Sequence, residues 1–530
     1  MTDVIVVGSG PGAVNAAAPL VAAGRRVLML DVGRTDGRYA PRVPLLEFPE
    51  LRRTDRDQHR YFLGDDLEGV PFGPVRVGAQ LTPPRQHIAV PDARLPVDSD
   101  GFAAVQSLAR GGLGAGWGAG VFPFDDAELR AFGLGLAALA PHYDRVVERI
   151  GVAGPVDDLA QFFPPSPAMQ PALDLDPNAA SVFAAYARRR ARLNERGFFL
   201  GHARLAVCTV PHHDRGPERY LDLAYWADPD RSVYRPQWTL EELERAPGFT
   251  YLPGRFVERF EESAAGVRVV CHAGASGEIH EARALVLAAG TLGSARIVLA
   301  SLGRYDVPVP ILCNPYEYVP TLNLRMLGRG GGARRHGMAQ LTAMLRTGEG
   351  ERLVQAQVFS YRSLLTFKLM KEIPLGYRSA LQALRLIMPS FAILGLHHED
   401  HPSPEKRLVL RRGRGGQPDT LEVRYQPSAE ETAAQRRDHA KVLRAFLSLG
   451  CVPLSTVRPG HGANMHYAGA FPMQPAGGEL TCDVEGRLRA TRNVYLGDGS
   501  VFPWLPAKGL TFTLMACADR VGTRLAERLA

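Results

Sequence analysis

Gly8-Ser9-Gly10-Pro11-Gly12-Ala13, with Asp31 standing twenty-three residues after Gly8, has the residue types and spacing to hold a dinucleotide. Gly8 permits a tight turn, Gly10 lets backbone approach a pyrophosphate, and the small Ala13 lets a helix pack close to a strand. The free amides of a helix N-terminus and its partial positive charge would face the phosphates. The Asp31 carboxylate can accept hydrogen bonds from ribose hydroxyls. The alternative is a glycine-rich βα turn that binds nothing.

A second stretch, Ser107 to Gly120, carries five glycines between positions 111 and 118 and a sixth at 120. Neither helix nor strand favours that composition, and such a loop lets backbone come close to something flat or charged. A flexible linker fits poorly, because Trp117 and Val121-Phe122-Pro123-Phe124 are apolar. Three histidine groups could do chemistry. His397-His398-Glu399-Asp400-His401 has metal-ligand types, but consecutive residues at a strand end cannot converge on one ion, so a polar loop is the expectation and no metal is expected. His466, with His461 five residues before it, could line a pocket. His212-His213-Asp214 in a proline-flanked loop could do the same. Taken alone, each of these histidines is as well explained by structural hydrogen bonding.

The elements that must position these residues follow from hydrophobic pattern. Val4 to Val7 is an apolar β-branched run, which reads as a buried parallel strand. Ala13 to Ala23 reads as a small-residue helix stopped by Gly24, and Arg26 to Leu30 as a second strand. Residues 37–103 lack periodicity and read as a lid or wrapping segment. Asp125-Asp126-Ala127-Glu128 resembles a helix start, and helices follow near 138–151 and 178–196. Phe249 to Leu252 and Val267 to Cys271 read as strands, and Ala284 to Ala289 as a buried strand leading through Gly290-Thr291 into a helix. In 311–455 the pattern predicts an antiparallel sheet from Val354–Phe359, Phe391–Leu396, Arg407–Leu410 and Leu421–Tyr425, then an amphipathic helix capped by Ser428. Leu364 to Met388, apolar with interspersed Lys and Arg, is a core helix pair, a wall over an apolar substrate, or a lipid-touching surface. The last helix, from about Leu510, ends with basic residues, as the helix dipole favours.

Five hundred and thirty residues suffice for two domains. A net charge of +7, from 62 basic and 55 acidic residues spread along the chain, gives no footprint for nucleic acid. The densest basic run, Arg188-Arg189-Arg190-Ala191-Arg192, reads as a solvated face. Six scattered cysteines without a CxxC predict reduced thiols. No run is long and apolar enough to span a bilayer, and the dinucleotide strand begins almost at residue 1, so a cytoplasmic protein without membrane contact is expected.

Five segments in order give this chain a resemblance to the glucose–methanol–choline oxidoreductases. Gly8-Ser9-Gly10 with Asp31 is similar to that family's ADP-binding unit. Gly111-Gly112-Leu113-Gly114-Ala115-Gly116-Trp117-Gly118 resembles its GG-S-S-x-x-N-G loop beside the isoalloxazine, with Trp117 in place of Asn. Val286 to Gly290 with Gly293-Ser294 resembles its V-x-x-A-G…N-S-P segment. Gly497-Asp498-Gly499-Ser500 and Thr511 to Ala516 resemble its C-terminal signature. The resemblance implies an α/β architecture: a Rossmann-like, discontinuous FAD-binding domain over 1–310 and 456–530, and an α+β substrate domain over 311–455. It implies FAD as cofactor, held by Gly8, Gly10, Pro11, Gly12, Ala13, Asp31, Gly111, Gly112, Gly114, Trp117, Gly118, Val257, Ala289, Gly290, Asp498 and Gly499. The implied partners are a small-molecule alcohol and an electron acceptor, oxygen or a carrier.

The implied reaction removes the hydroxyl proton with a histidine base and passes a hydride to flavin N5. His466-Tyr467-Ala468-Gly469-Ala470 matches the family's H-x-x-G-T context with Ala for Thr, which makes His466 the base. The family places a second His or Asn opposite. Here that position is Gly509, and Lys508 beside it is either a substitute cation or a solvated lysine. Two further readings stay open: a protein of this fold with altered chemistry (lyase, desaturase or cyclase), and a non-enzymatic FAD binder.

Overall fold

The computed structural model describes residues 2–68, 82–274, 276–329, 335–348, 352–360 and 374–530. Its first sheet is built around Thr2–Val7, whose Val4, Ile5 and Val6 are fully buried. That strand pairs in parallel with Val27–Leu30 on one side and Ser276–Leu287 on the other. Phe249–Leu252 extends the parallel part next to Val27–Leu30, and Val494–Leu496 joins Ser276–Leu287. The hairpin strands Arg255–Ser263 and Gly266–Ala273 add an antiparallel edge. The sheet thus collects strands from the start, the middle and the end of the chain.

Small residues let the layers close up. The helix Pro11–Ala22 packs on the last helix, Thr511–Arg528. A Cβ on Gly522 would lie 2.1 Å from the Ala16 carbonyl oxygen, so only glycine allows that crossing. The expected helices are present as Leu136–Ile150 and, for 178–196, as two pieces, Pro177–Ala187 and Arg190–Asn194, with Arg188 and Arg189 exposed between them. Asp125 and Glu128 form a reciprocal cap at the start of Asp126–Leu129, and Ser428 and Glu431 do so for Ala429–Ser448.

A six-stranded antiparallel sheet runs in the order Cys451–Pro453, Tyr316–Asn323, Phe391–His398, Arg352–Phe359, Leu341–Thr347, Phe198–His202. Every residue of Phe391–His398 is buried. The expectation of one sheet over 354–425 needs correction. Lys406–Arg411 and Thr420–Tyr425 belong instead to a separate four-stranded sheet with Pro308–Pro310 and Val97–Asp100. Local pattern marks a strand but not its partner: Thr420–Tyr425 pairs with Val97–Asp100, more than 300 residues earlier in the chain.

Among its described residues the wrapping segment holds the short α-helices Phe48–Thr54 and His59–Phe62, 3-10 turns and the strand Val97–Asp100, while 69–81 lie outside the described residues. Of the apolar stretch 364–388, residues 364–373 lie outside the described residues and Tyr377–Ile387 is a helix. The glycine-rich stretch is not wholly irregular: Gly112–Gly116 makes one short 3-10 turn. All six cysteines are buried and unpaired. No helix among the described residues is long and apolar enough to cross a membrane.

Candidate active site

One cavity of about 1780 Å³ is lined at once by the Gly8–Gly12 turn, the glycine-rich stretch and the His461–Tyr467 loop. At the Gly8 end, packing dictates the glycines. A Cβ on Gly8, which has φ +98°, would lie 2.5 Å from the Ala288 carbonyl oxygen, and one on Gly12 would lie 1.9 Å from that of Gly497. Gly10 is different: a Cβ there meets nothing closer than 3.9 Å, so its lack of a side chain keeps cavity space open rather than relieving a clash.

Asp31 sits at the end of Val27–Leu30 and lines the cavity. Its carboxylate accepts hydrogen bonds from Ser9 Oγ and, at 3.1 Å, from the Tyr251 hydroxyl. Burial raises its pKa to about 6 against those bonds, which pull the other way. Ser9 Oγ also accepts from the Gly111 amide at 2.9 Å, which fastens the second glycine-rich stretch to the first.

The remaining residues expected at a cofactor divide by position. Gly112, Gly114, Trp117, Gly118, Val257, Ala289, Gly290, Asp498 and Gly499 line the cavity, as do Pro11 and Gly12. Gly111 and Ala13 stand behind it: Gly111 through its bond to Ser9, and Ala13 fully buried in the layer between helix and sheet. Trp117 is fixed by its indole N–H donating to the Tyr234 carbonyl at 2.8 Å. Asp498 accepts from Ser294 Oγ at 2.5 Å and from the Ser500 amide at 3.0 Å, which clamps Gly499 against the Gly290 turn.

His466 and Gly509 line the other part of the cavity. Burial pushes the His466 imidazole down to about 4, so the ring is neutral at neutral pH. Its Nδ1 has no hydrogen-bond partner among the described residues. A Cβ on Gly509 would be 3.8 Å from His466 Cε1 and 3.2 Å from Phe122 Cδ2. Lys508 matches neither expectation, a cation at the substrate hydroxyl or a solvated lysine. Its Nζ is fully buried outside the cavity wall, donating to Glu128 Oε2 at 2.6 Å and to the Phe162 carbonyl at 2.8 Å. The cation is therefore consumed in a buried cluster with Glu128.

His461 lines the same cavity, packed on Tyr425 at 4.8 Å between ring centroids. His212-His213-Asp214 does not line it; Asp214 instead pairs with Arg245 at 3.1 Å. The five residues 397–401 diverge, as expected of consecutive ligands, but they are not a polar loop. His397 and His398 are the buried end of a strand, Asp400 pairs with buried Lys406 at 2.6 Å, and His401 stacks on Trp504. Among the described residues one group of metal-type donors gathers, Cys271, Glu278 and His280, where Glu278 already pairs with Arg255.

Sequence reading missed His397. It lines the cavity with its ring stacked on that of His466, 5.3 Å between centroids and 19° apart. The only signal was its place at the end of a wholly apolar strand. Asn464 was missed too. Its Oδ1 accepts from the His466 amide at 3.2 Å and its Nδ2 donates to the Asn314 carbonyl at 2.6 Å.

No protein-family model matches the sequence, and no curated protein matches it. Solved structures do. Pyridoxine 4-oxidase from Mesorbium loti superposes with a TM-score of 0.60 at 14% identity, over 99% of this chain and 99% of that one. An FAD-dependent oxidoreductase from Chaetomium thermophilum superposes with a TM-score of 0.59 at 12% identity, over 100% and 99%. The chain has their fold. The α/β architecture implied by the glucose–methanol–choline resemblance is the fold of these neighbours, which covers nearly the full length of each chain.

Proposed function

We propose that this chain is an FAD-dependent oxidoreductase that dehydrogenates the CH–OH group of a neutral, apolar or aromatic alcohol, with His466 as the base. The observation that carries this reading is the single cavity joining the Gly8–Gly12 turn and Asp31 to His466. The residues fit FAD. Gly10 leaves room at a helix N-terminus for a pyrophosphate, Asp31 offers a carboxylate to a ribose, and the Gly112–Gly118 stretch, Ala289-Gly290 and Gly499 present backbone to a flat ring.

FAD held there supplies the acceptor for the hydride that leaves the carbinol carbon. His466 takes the hydroxyl proton, for which its neutral ring suits it. The two hydrogens lost by the alcohol are thus one proton on His466 and one hydride, and the product is an aldehyde or ketone. Tyr316, Tyr318, Phe359 and Ile393 wall the cavity with apolar surface, which favours an uncharged substrate. The fold shared with a protein named pyridoxine 4-oxidase supports the oxidative reading.

A second reading, a lyase of the same fold, is favoured by Gly509, which supplies no side chain opposite His466. An anaerobic absorbance spectrum of the FAD-loaded protein, before and after pooled alcohols, separates the two. Bleaching in the wild type and not in His466→Ala supports dehydrogenation. Turnover without bleaching supports the lyase, and a protein that takes up no FAD overturns both.

A further inference from the structure

His397 has no part in the reaction as described so far, yet it lies beside the base. It is the seventh residue of Phe391–His398 and pairs across the sheet with Tyr316 on one side and Gln355 on the other. Its ring is held between those of His466, at 5.3 Å, and Tyr316, at 4.6 Å. Both imidazoles line the cavity, and neither Nδ1 has a hydrogen-bond partner among the described residues. The two rings thus lie side by side on one stretch of the cavity wall, with no bond to a described residue on either Nδ1. With no bond fixing either tautomer, one ring can donate while the other accepts.

The backbone behind this pair is fixed. From the His466 amide the hydrogen bonds run through Asn464 to the Asn314 carbonyl. Asn314 Nδ2 then donates to the carbonyl of His398, next to His397, at 2.8 Å and to that of Pro506 at 2.7 Å. One amide relay thus sets the base, the strand carrying His397 and the approach to Gly509.

We propose that His397, presented by the six-stranded sheet, is a second catalytic imidazole that donates a hydrogen bond to the substrate oxygen while His466 removes its proton. The proposal rests on the alcohol-dehydrogenation reading. The substrate O–H breaks to His466, the carbinol hydride goes to FAD, the C=O double bond forms, and His397 keeps its own proton throughout. The group that Gly509 cannot supply comes instead from the end of Phe391–His398. The aromatic neighbours Tyr316, Tyr318 and Phe359 suit a flat aromatic carbinol, so benzyl alcohol and its product benzaldehyde are the probes.

Two measurements on the FAD-loaded protein test this: the limiting rate of anaerobic flavin bleaching by benzyl alcohol, and benzaldehyde affinity from the flavin difference spectrum. His397→Ala is expected to lower the limiting rate about 100-fold, the scale of losing one donor to a developing oxyanion, and to weaken benzaldehyde at least tenfold. His397→Asn, whose amide still donates, is expected to recover part of both, and His397→Phe neither. If His397→Ala does not fold, the Asn and Phe variants carry the same comparison. Rates and affinities in His397→Ala within threefold of wild type, with His466→Ala inactive, overturn the role of His397 and leave the base intact. A wild type that carries FAD but neither bleaches with benzyl alcohol nor binds benzaldehyde overturns the substrate class proposed here. Failure to bleach with every other alcohol as well overturns the underlying dehydrogenation reading.

Discussion

Phe122 stands against the space that a side chain on Gly509 would fill: a Cβ there would lie 3.2 Å from Phe122 Cδ2 and 3.5 Å from Cε2. Phe122 is itself buried against Phe163, so it cannot swing away freely. The missing polar group and the phenyl ring are therefore one arrangement. Gly509→Asn alone is expected to lower stability by about 1–3 kcal/mol through overpacking and to slow flavin bleaching. Combined with Phe122→Ala, the same substitution should cost less than the sum of the two single changes. A double-mutant cycle in urea unfolding and in reduction rate checks this, and simple additivity would show that the two positions do not share the space.

Lys508 is the reverse case, a charged side chain whose work is structural. Its ammonium is buried against Glu128, whose carboxyl is raised to about 7 by burial against the pull of that same ammonium. Lys508→Met leaves the Glu128 carboxyl without its cation, at an expected cost of about 3–5 kcal/mol. Adding Glu128→Leu should return most of that loss. The folded fraction of Lys508→Met should keep the wild-type KM for an alcohol, whereas a catalytic lysine would change the reduction rate far more than the unfolding midpoint.

These two positions also mark what sequence does and does not disclose. The Gly8–Asp31 unit was legible because its strand, turn, helix and acid are contiguous, and each residue type answers to a local demand. His466 was legible through the family pattern around it. His397 was not, because nothing local distinguishes it from His398 or His401. Only the pairing of Phe391–His398 with Tyr316–Asn323, and the return of the chain 69 residues later, put the two rings together. Lys508 misled for the same reason: Glu128 lies 380 residues earlier in the chain. The division of four strands between two sheets was equally a matter of distant partners.

The proposed contact of Asp31 with the ribose predicts a pH dependence of FAD binding. Its carboxyl, raised to about 6, is ionised above that value and protonated below it. Only the ionised form accepts two ribose hydrogen bonds fully, so affinity should rise with pH through about 6 and level off above 7. The loss at pH 5 relative to pH 7 is up to about tenfold, set by the fraction left ionised. Flavin fluorescence titrations of the apoprotein at pH 5, 6, 7 and 8 measure it. Asp31→Asn should bind more weakly at pH 8 and show no step near 6; a step that persists would assign it to another group.

Buried histidines cost the fold stability in acid, and two of them lie away from the proposed base. His336 and His398 are buried, and burial lowers both to about 4. Between pH 6.5 and 4 the unfolded chain binds the protons that the folded one refuses, so stability falls as pH falls through that window. Near pH 5 each contributes a slope of about 1 kcal/mol per pH unit. Urea unfolding at pH 7, 6 and 5 should show the loss, and His336→Gln, which removes the titration, should flatten it by one histidine's share. An unchanged slope would mean that His336 is protonated to the same extent in the folded and unfolded chain.

Gly10 and Gly12 are separated by one residue and should respond oppositely to a methyl group. On Gly12 the methyl would meet the Gly497 carbonyl oxygen at 1.9 Å, backbone against backbone, where neither the helix Pro11–Ala22 nor the strand Val494–Leu496 can yield. Gly12→Ala should therefore unfold the apoprotein or lower its stability by about 3 kcal/mol. On Gly10 the methyl enters the cavity with nothing nearer than 3.9 Å, so the apoprotein should keep its melting temperature. What Gly10→Ala should lose is FAD affinity, because the methyl takes the space through which backbone amides reach a pyrophosphate. Melting curves of both apoproteins, paired with FAD titrations, decide the matter: an apo Gly10→Ala that binds FAD like the wild type would show that the pyrophosphate does not lie at this turn.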